Sequence, residues 1–234
     1  MSIKLTLTKE QAQTVSIACE FYARIKLGQF KEIIWHTLDP KLVTDDFCER
    51  RDITEHYLLE ARKEIYPELH GIGHSYGIGK FEDADKSYDV HQVIRQLFGD
   101  ERGLFSYYEL PGCRKVNSLV ELILSDEHAR IISNACEFYA RIKIGQFGEI
   151  IGVTLDDSLP IEEYCSRRDK AEHFLLEARK FIYPELHGIG HSYGIRKFED
   201  AMLAYGSHQA IQQVFGDDVS LLDSQFVPKC EKTE

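Results

Sequence analysis

Residues 65–78 and 182–195 carry the same stretch, IYPELHGIGHSYGI, with no substitution between them. The two occurrences are 117 positions apart, half of the 234-residue chain. The same offset relates Cys19 to Cys136, Cys48 to Cys165 and Cys113 to Cys230, so the repetition runs from end to end without a gap. A period this long means duplicated domains and excludes a solenoid of short units. The expected organisation is two homologous copies, residues 1–117 and 118–234, each long enough to bury a modest core.

Pattern along one copy, checked against the other, predicts a mainly α chain with short β-strands (α+β). Ile3-Lys4-Leu5-Thr6-Leu7 alternates as a half-buried strand does, and Leu119 to Leu124 is its more apolar twin. Thr8 and Gln11 have capping-box spacing, with Ser125 and His128 in the same places. The helix that follows should bury Ala12, Val15, Ala18, Cys19, Tyr22, Ile25 and Leu27 until Gly28 interrupts it. Gln29 to Ile34 then reads as a kinked continuation or a short separate helix. A further helix should start at Thr44-Asp45-Asp46 and stop near Ile65, because Pro67 disfavours helical backbone at Tyr66. The last helix of each copy is expected over 81–98 and 198–215, ended by Gly99 and Gly216. Leu104 to Tyr108 suggests a second strand, with Pro111-Gly112 as the turn into copy 2. No Ser/Gly-rich linker separates the copies, so they are expected to be in contact about an approximate twofold axis, with small strand elements at the seam.

A net charge of −11 argues against general binding to nucleic-acid backbones. No window is apolar enough for a membrane helix, and the N-terminus lacks a signal-peptide core, so a cytoplasmic location is expected. There is no C-x-x-C, and reduced structural thiols are expected.

The sequence LTLTKEQAQTVSIACEFYARIKLGQFKEI, then SYGI, then KSYDVHQVIRQ resembles a group of short, mostly helical proteins encoded by bacteriophages. Their pattern is an LT-x-EQA helix start, an RI-x-x-GQF segment, an SYGI turn and a YD-x-x-QVIR helix. In copy 1 the resemblance rests on Tyr22, Arg24, Ile25, Gly28, Gln29, Phe30, Ser75–Ile78, Tyr88, Asp89 and Gln92–Arg95. Copy 2 departs from it where Asp89 becomes Gly206 and Arg95 becomes Gln212. The resemblance implies a phage setting and the host cytoplasm, where small non-enzymatic proteins that block host factors or defence signals are common.

The repeated loop is the leading site candidate. Its glycines free backbone N–H groups ahead of a helix N-terminus, a natural setting for an anion. Arginines such as Arg24, Arg50, Arg51 and Arg62 offer forked donors for phosphate, and Tyr76 offers a face for a base. The expected ligand-binding set is His70, His74, Tyr76, Arg24 and Gln29, with His187, His191, Tyr193, Arg141 and Gln146 in copy 2. Repeated histidines (His56, His70, His74, His91 and their twins) with Glu68 and Glu185 also suggest zinc or another divalent metal and, as the alternative, a metal-dependent hydrolase. The spacing is unlike H-E-x-x-H, and no nucleophile elbow or triad pattern occurs, so no catalytic residue, metal ligand or cofactor is assigned. The expected partner is a nucleotide-like small molecule or a host protein. Trp35, Phe105, Tyr107 and Tyr108 are candidate interface aromatics, and a duplicated surface would suit a homo-oligomer.

Overall fold

The computed structural model describes residues 2–69, 71, 73–100, 106, 108–188, 190–217, 222–223 and 225–233. The chain is mainly α with a small antiparallel sheet. In order, its elements are β1 (Ser2–Leu7), α1 (Lys9–Lys26), α2 (Glu32–Thr37), α3 (Thr44–Ile65), α4 (Glu82–Leu97), β2 (Gly112–Val116), β3 (Leu119–Ser125), α5 (Asp126–Lys143), α6 (Glu149–Thr154), α7 (Ile161–Ile182), a 3-10 turn (Ile195–Lys197), α8 (Glu199–Phe215) and β4 (Lys229–Thr233). Among the described residues no helix is long and apolar enough to cross a membrane.

The chain divides into two compact units, and each draws on both copies. The first gathers residues 1–23, 78–140 and 195–234; the second gathers 24–77 and 141–194.

The first unit contains the sheet, in the order β2-β3-β1-β4. Period-two alternation places Ile3, Leu5 and Leu7 of β1 and Val120, Leu122 and Leu124 of β3 in the core. β1 pairs antiparallel with β3 so that Leu5 faces Leu122, its own equivalent. Copy 1's β2 pairs with copy 2's β3, and copy 2's β4 with copy 1's β1, so every ladder joins one copy to the other. Beneath the sheet, the equivalent rings of Phe21 and Phe138 stack at 5.7 Å. α1 opens with the expected capping box: the Thr8 N–H donates to Gln11 Oε1 (2.9 Å), and the Gln11 N–H donates to Thr8 Oγ1 (3.2 Å).

Cys19 and Cys136 are fully buried in this unit, and all six cysteines are free. Burial pushes the Cys19 thiol up to about 12 and raises Cys136 well above the ordinary range. Native protein treated with iodoacetamide at pH 8 should therefore leave these two unlabelled, while the half-buried Cys48 and Cys165 react first. Peptide mapping by mass spectrometry checks the order.

Asp89 of α4 is 2% exposed and accepts from Ser106 Oγ and from Gln92 Nε2 (3.3 Å). Burial raises this carboxyl to about 6; the Ser106 hydrogen bond opposes the shift and Asp85 adds to it. Its folded value thus lies above the unfolded ~3.9, so the folded chain holds the proton more tightly. The stability this gives is present below about pH 4 and is lost as pH rises through about 6. Asp89→Asn should stabilise the chain at pH 7.5 by on the order of 2 kcal/mol, with no gain at pH 4. Urea midpoints at the two pH values measure both outcomes.

The second unit centres on the equivalent helices α3 and α7, which bury Leu58, Ala61 and Ile65 and Leu175, Ala178 and Ile182. Their contact has diverged between the copies. Tyr57 stacks on Phe181 with ring centroids 6.0 Å apart, whereas Glu64, the equivalent of Phe181, pairs with Lys170 at 3.6 Å. α2 is a separate short helix after the Gly28 break; its twin in copy 2 is α6.

Candidate functional site

The repeated loop follows α3 in copy 1 and α7 in copy 2, and its organiser is an arginine inside the helix. Arg62 occupies a core-stripe position with Leu58, Ala61 and Ile65, and it is 3% exposed. Its guanidinium fans out to main-chain oxygens: Nη1 donates to His74 O (2.9 Å) and Gly28 O (3.4 Å), and Nη2 donates to Gly71 O. Arg179 repeats the arrangement on His191 O (2.9 Å), Gly145 O (3.3 Å) and Gly188 O (2.5 Å). Among the described residues, Nε of both arginines is buried without a partner and no carboxylate pairs with either charge. Desolvation accordingly lowers both arginine pKa values. A fork with several donors suits this task, because one planar group can satisfy diverging carbonyls that a loop would otherwise leave unpaired.

Two further ties fix the turn. The Tyr76 N–H donates to Leu27 O (2.9 Å), and the Tyr66 hydroxyl donates to Lys26 O (2.9 Å). The rings of Tyr66 and Tyr76 meet edge to face at 5.1 Å, and the Tyr76 hydroxyl donates to Glu68. Burial, first, and the Glu68 carboxylate raise the phenol's pKa, so it remains a donor. Tyr193 and Glu185 repeat the bond.

A cavity of about 290 Å³ lies beside the copy 1 loop, lined by Gln29, Lys31, Glu32, Glu55, Arg62 and His74 among others. Arg24 lies behind it: its Nη1 donates to Gln29 Oε1 (3.1 Å) and Glu32 Oε1 (3.1 Å), and Gln29 Nε2 donates to Ser75 Oγ (3.4 Å). Arg141, Gln146, Glu149 and Ser192 form the same relay in copy 2. Lys31 reaches across to Glu55 at 2.5 Å. Around the cavity Arg24, Lys31 and Arg62 stand against Glu32 and Glu55, an excess of one positive charge. In copy 2 Lys31 is replaced by Gly148, and the corresponding set is balanced.

The residues expected at the site are therefore distributed as follows. Gln29 and His74 line the cavity, Arg24 positions Gln29, and Tyr76 braces the loop through Glu68 and Tyr66. His74, His187 and His191 are exposed, and His70 lies outside the described residues. Arg62 proves to be the loop's internal tie, where phosphate binding was expected of it. The sequence contained a signal for this, an arginine in register with the buried Leu58, Ala61 and Ile65, and Glu32, Lys31 and Glu55 carried none as strong. The other repeated histidines go elsewhere. His91 belongs to the first unit, where its Nδ1 bonds Ser16 Oγ (3.0 Å), and His56 is exposed on α3. Among the described residues no three His, Cys, Asp or Glu side chains converge as a metal site would require. Trp35 is 63% exposed on α2; Phe105 and Tyr107 lie outside the described residues.

Comparison of the chain with family models, curated proteins and solved structures found no match.

Proposed function

We propose that the chain is a non-enzymatic binding protein whose copy 1 loop site takes a small nucleotide-like anion. In the phage setting implied by the LT-x-EQA to YD-x-x-QVIR pattern, it acts by withdrawing that ligand from a host process. The observation that carries this reading is a buried guanidinium with no carboxylate partner among the described residues, beside a cavity whose wall mixes Gln29, Lys31 and His74 with Phe30, Leu58 and Leu59. An uncompensated charge in a poorly solvated place raises the local potential, and an anion entering the cavity relieves it. Gln29, Lys31 and His74 supply donors at the cavity wall.

The excess charge exists in copy 1 alone, so one ligand per chain is expected. Calorimetry against a panel of cyclic and linear nucleotides tests this. The expected result is a stoichiometry of one, with affinity about tenfold weaker in Lys31→Gly, the loss of one charge-assisted contact. Silence across the panel, together with a host protein recovered by pull-down, would replace ligand withdrawal with occupation of that protein, a reading the exposed Trp35 supports.

A further inference from the structure

A second cavity, of about 610 Å³, lies in the first unit, and the loop site takes no part in it. Its lining includes Lys86, Tyr108, Glu109, Ser125, Glu127 and His128. The volume falls within the usual range for small-molecule sites.

Two features mark it as built for a ligand. The first is His128, at the capping-box position of α5. Its equivalent Gln11 closes the box with its amide oxygen. The imidazole cannot do the same: Nδ1 turns back to Ser125 Oγ (2.8 Å), whose oxygen also accepts the His128 N–H (3.2 Å). Nε2, on the opposite edge of the ring, is left buried without a partner among the described residues, and the residue is only 7% exposed. A buried polar atom in this state costs about 1–3 kcal/mol. The contact with Ser125 Oγ fits the neutral tautomer in which the serine hydroxyl donates to Nδ1 and the ring carries its own proton on Nε2, a donor with no acceptor among the described residues. Burial, and next the Lys86 charge, lower the pKa of His128 and keep the ring neutral.

The second feature is how the copies cover α4 and α8. In copy 2 the chain lies directly on α8 at Gly206, where an added Cβ would be 2.0 Å from Phe226 O. In copy 1 the equivalent position is Asp89, which accepts from Ser106 Oγ. A side chain thus stands where copy 2 has backbone contact, and Tyr108 to Gly112 border a cavity. Lys86, 6% exposed, sits at that border between Glu82 (2.6 Å) and Glu127 (2.5 Å), with its ammonium 5.0 Å from the centre of the Tyr108 ring. Its equivalent in copy 2 is Leu203.

We infer that this cavity binds a free amino acid or an amino-acid-like zwitterion, its carboxylate received by His128 Nε2–H and Lys86 and its ammonium by Glu127 and Glu109. The charge pattern selects the class. Donors sit on the buried side, while Glu109 is exposed and the Glu127 side chain is 59% exposed. A simple anion would meet the Glu109 and Glu127 carboxylates with only Lys86, already paired with Glu82 and Glu127, to offset them, and a simple amine would leave Nε2 without an acceptor.

The test is calorimetry of the full chain with each of the twenty amino acids, using putrescine as an amine without carboxylate and succinate as a diacid without amine. At least one amino acid should bind with Kd below about 1 mM. His128→Gln and Lys86→Leu, each of which installs the other copy's residue, should each weaken it about tenfold. Gln11 and Leu203 already occupy the corresponding places in this fold, and circular dichroism should show both variants folded. In protein labelled with ¹⁵N-histidine, the Nε2 resonance of His128 should move on binding. Silence from all twenty, tighter binding of putrescine or succinate, or affinity unchanged in both variants would overturn the inference.

Discussion

Replacing Arg62 with methionine should lower the stability of the chain by about 3 kcal/mol, even though methionine fills similar space in the helix stripe. The loss comes from the other ends of the hydrogen bonds. The carbonyls of Gly71 and His74 have their guanidinium donors removed together, and Gly28 O loses a third contact. Arg62→Lys should recover little of this, since an ammonium is a point donor and these oxygens are spread about a planar fork. Because Arg179 makes the same bonds at its own loop, Arg179→Met should cost a similar amount. Urea midpoints of both single variants check the prediction. A loss below about 0.5 kcal/mol in each would mean that water replaces the guanidinium without penalty, and the arginine would then be no tie.

Gly28→Ala is the other large effect expected, at about 3 kcal/mol, and here the cause is steric. Gly28 has φ +83°, a conformation that costs an L-residue about 1 kcal/mol or more, and an added Cβ would stand 2.6 Å from Leu69 Cδ1. Leu69 is itself buried, so it has little room to retreat. Gly145, at φ +92° and 2.5 Å from Leu186 Cδ1, should behave alike. Gly77→Ala is the internal control: it has no positive φ, and nothing lies within 4 Å of its added Cβ, so a change within about 0.5 kcal/mol is expected. Thermal melts of the three variants separate the cases. If Gly28→Ala and Gly77→Ala shift Tm equally, the close approach of Leu69 is not what requires glycine at 28.

Local elements were legible because local chemistry decides them. The Thr8–Gln11 box starts α1 where its spacing predicts, and Pro67 stops α3 at Ile65. Alternation marked β1, and the repeat marked β3 as its more apolar twin. What the sequence concealed depends on contacts between distant residues. Gly112–Val116 and Lys229–Thr233 are charged and short, with no alternation to declare them, and they become strands only because β3 and β1 offer edges to pair with. A strand was expected instead over Leu104 to Tyr108. Of these, Leu104, Phe105 and Tyr107 lie outside the described residues, and Ser106 and Tyr108 are not in a strand. At the loop, composition drew attention to histidines and tyrosine, whereas the geometry depends on Arg62, which was read as a donor for phosphate and instead holds main-chain oxygens. His128 was visible only as a weak capping residue; its unused nitrogen appears once the neighbouring copy's Lys86 and Tyr108 are brought beside it.

The three ladders of the sheet carry a consequence for how such a chain can change. Neither half pairs its own two strands with each other in this sheet, so a half-length polypeptide would need a companion to complete it. Joining two halves in a single chain makes that companion permanently available, independent of concentration. It also removes the requirement that both partners be identical. One half can then acquire a lysine and an aspartate on its last helix while the other keeps leucine and glycine, an asymmetry that no pair of identical polypeptides encodes.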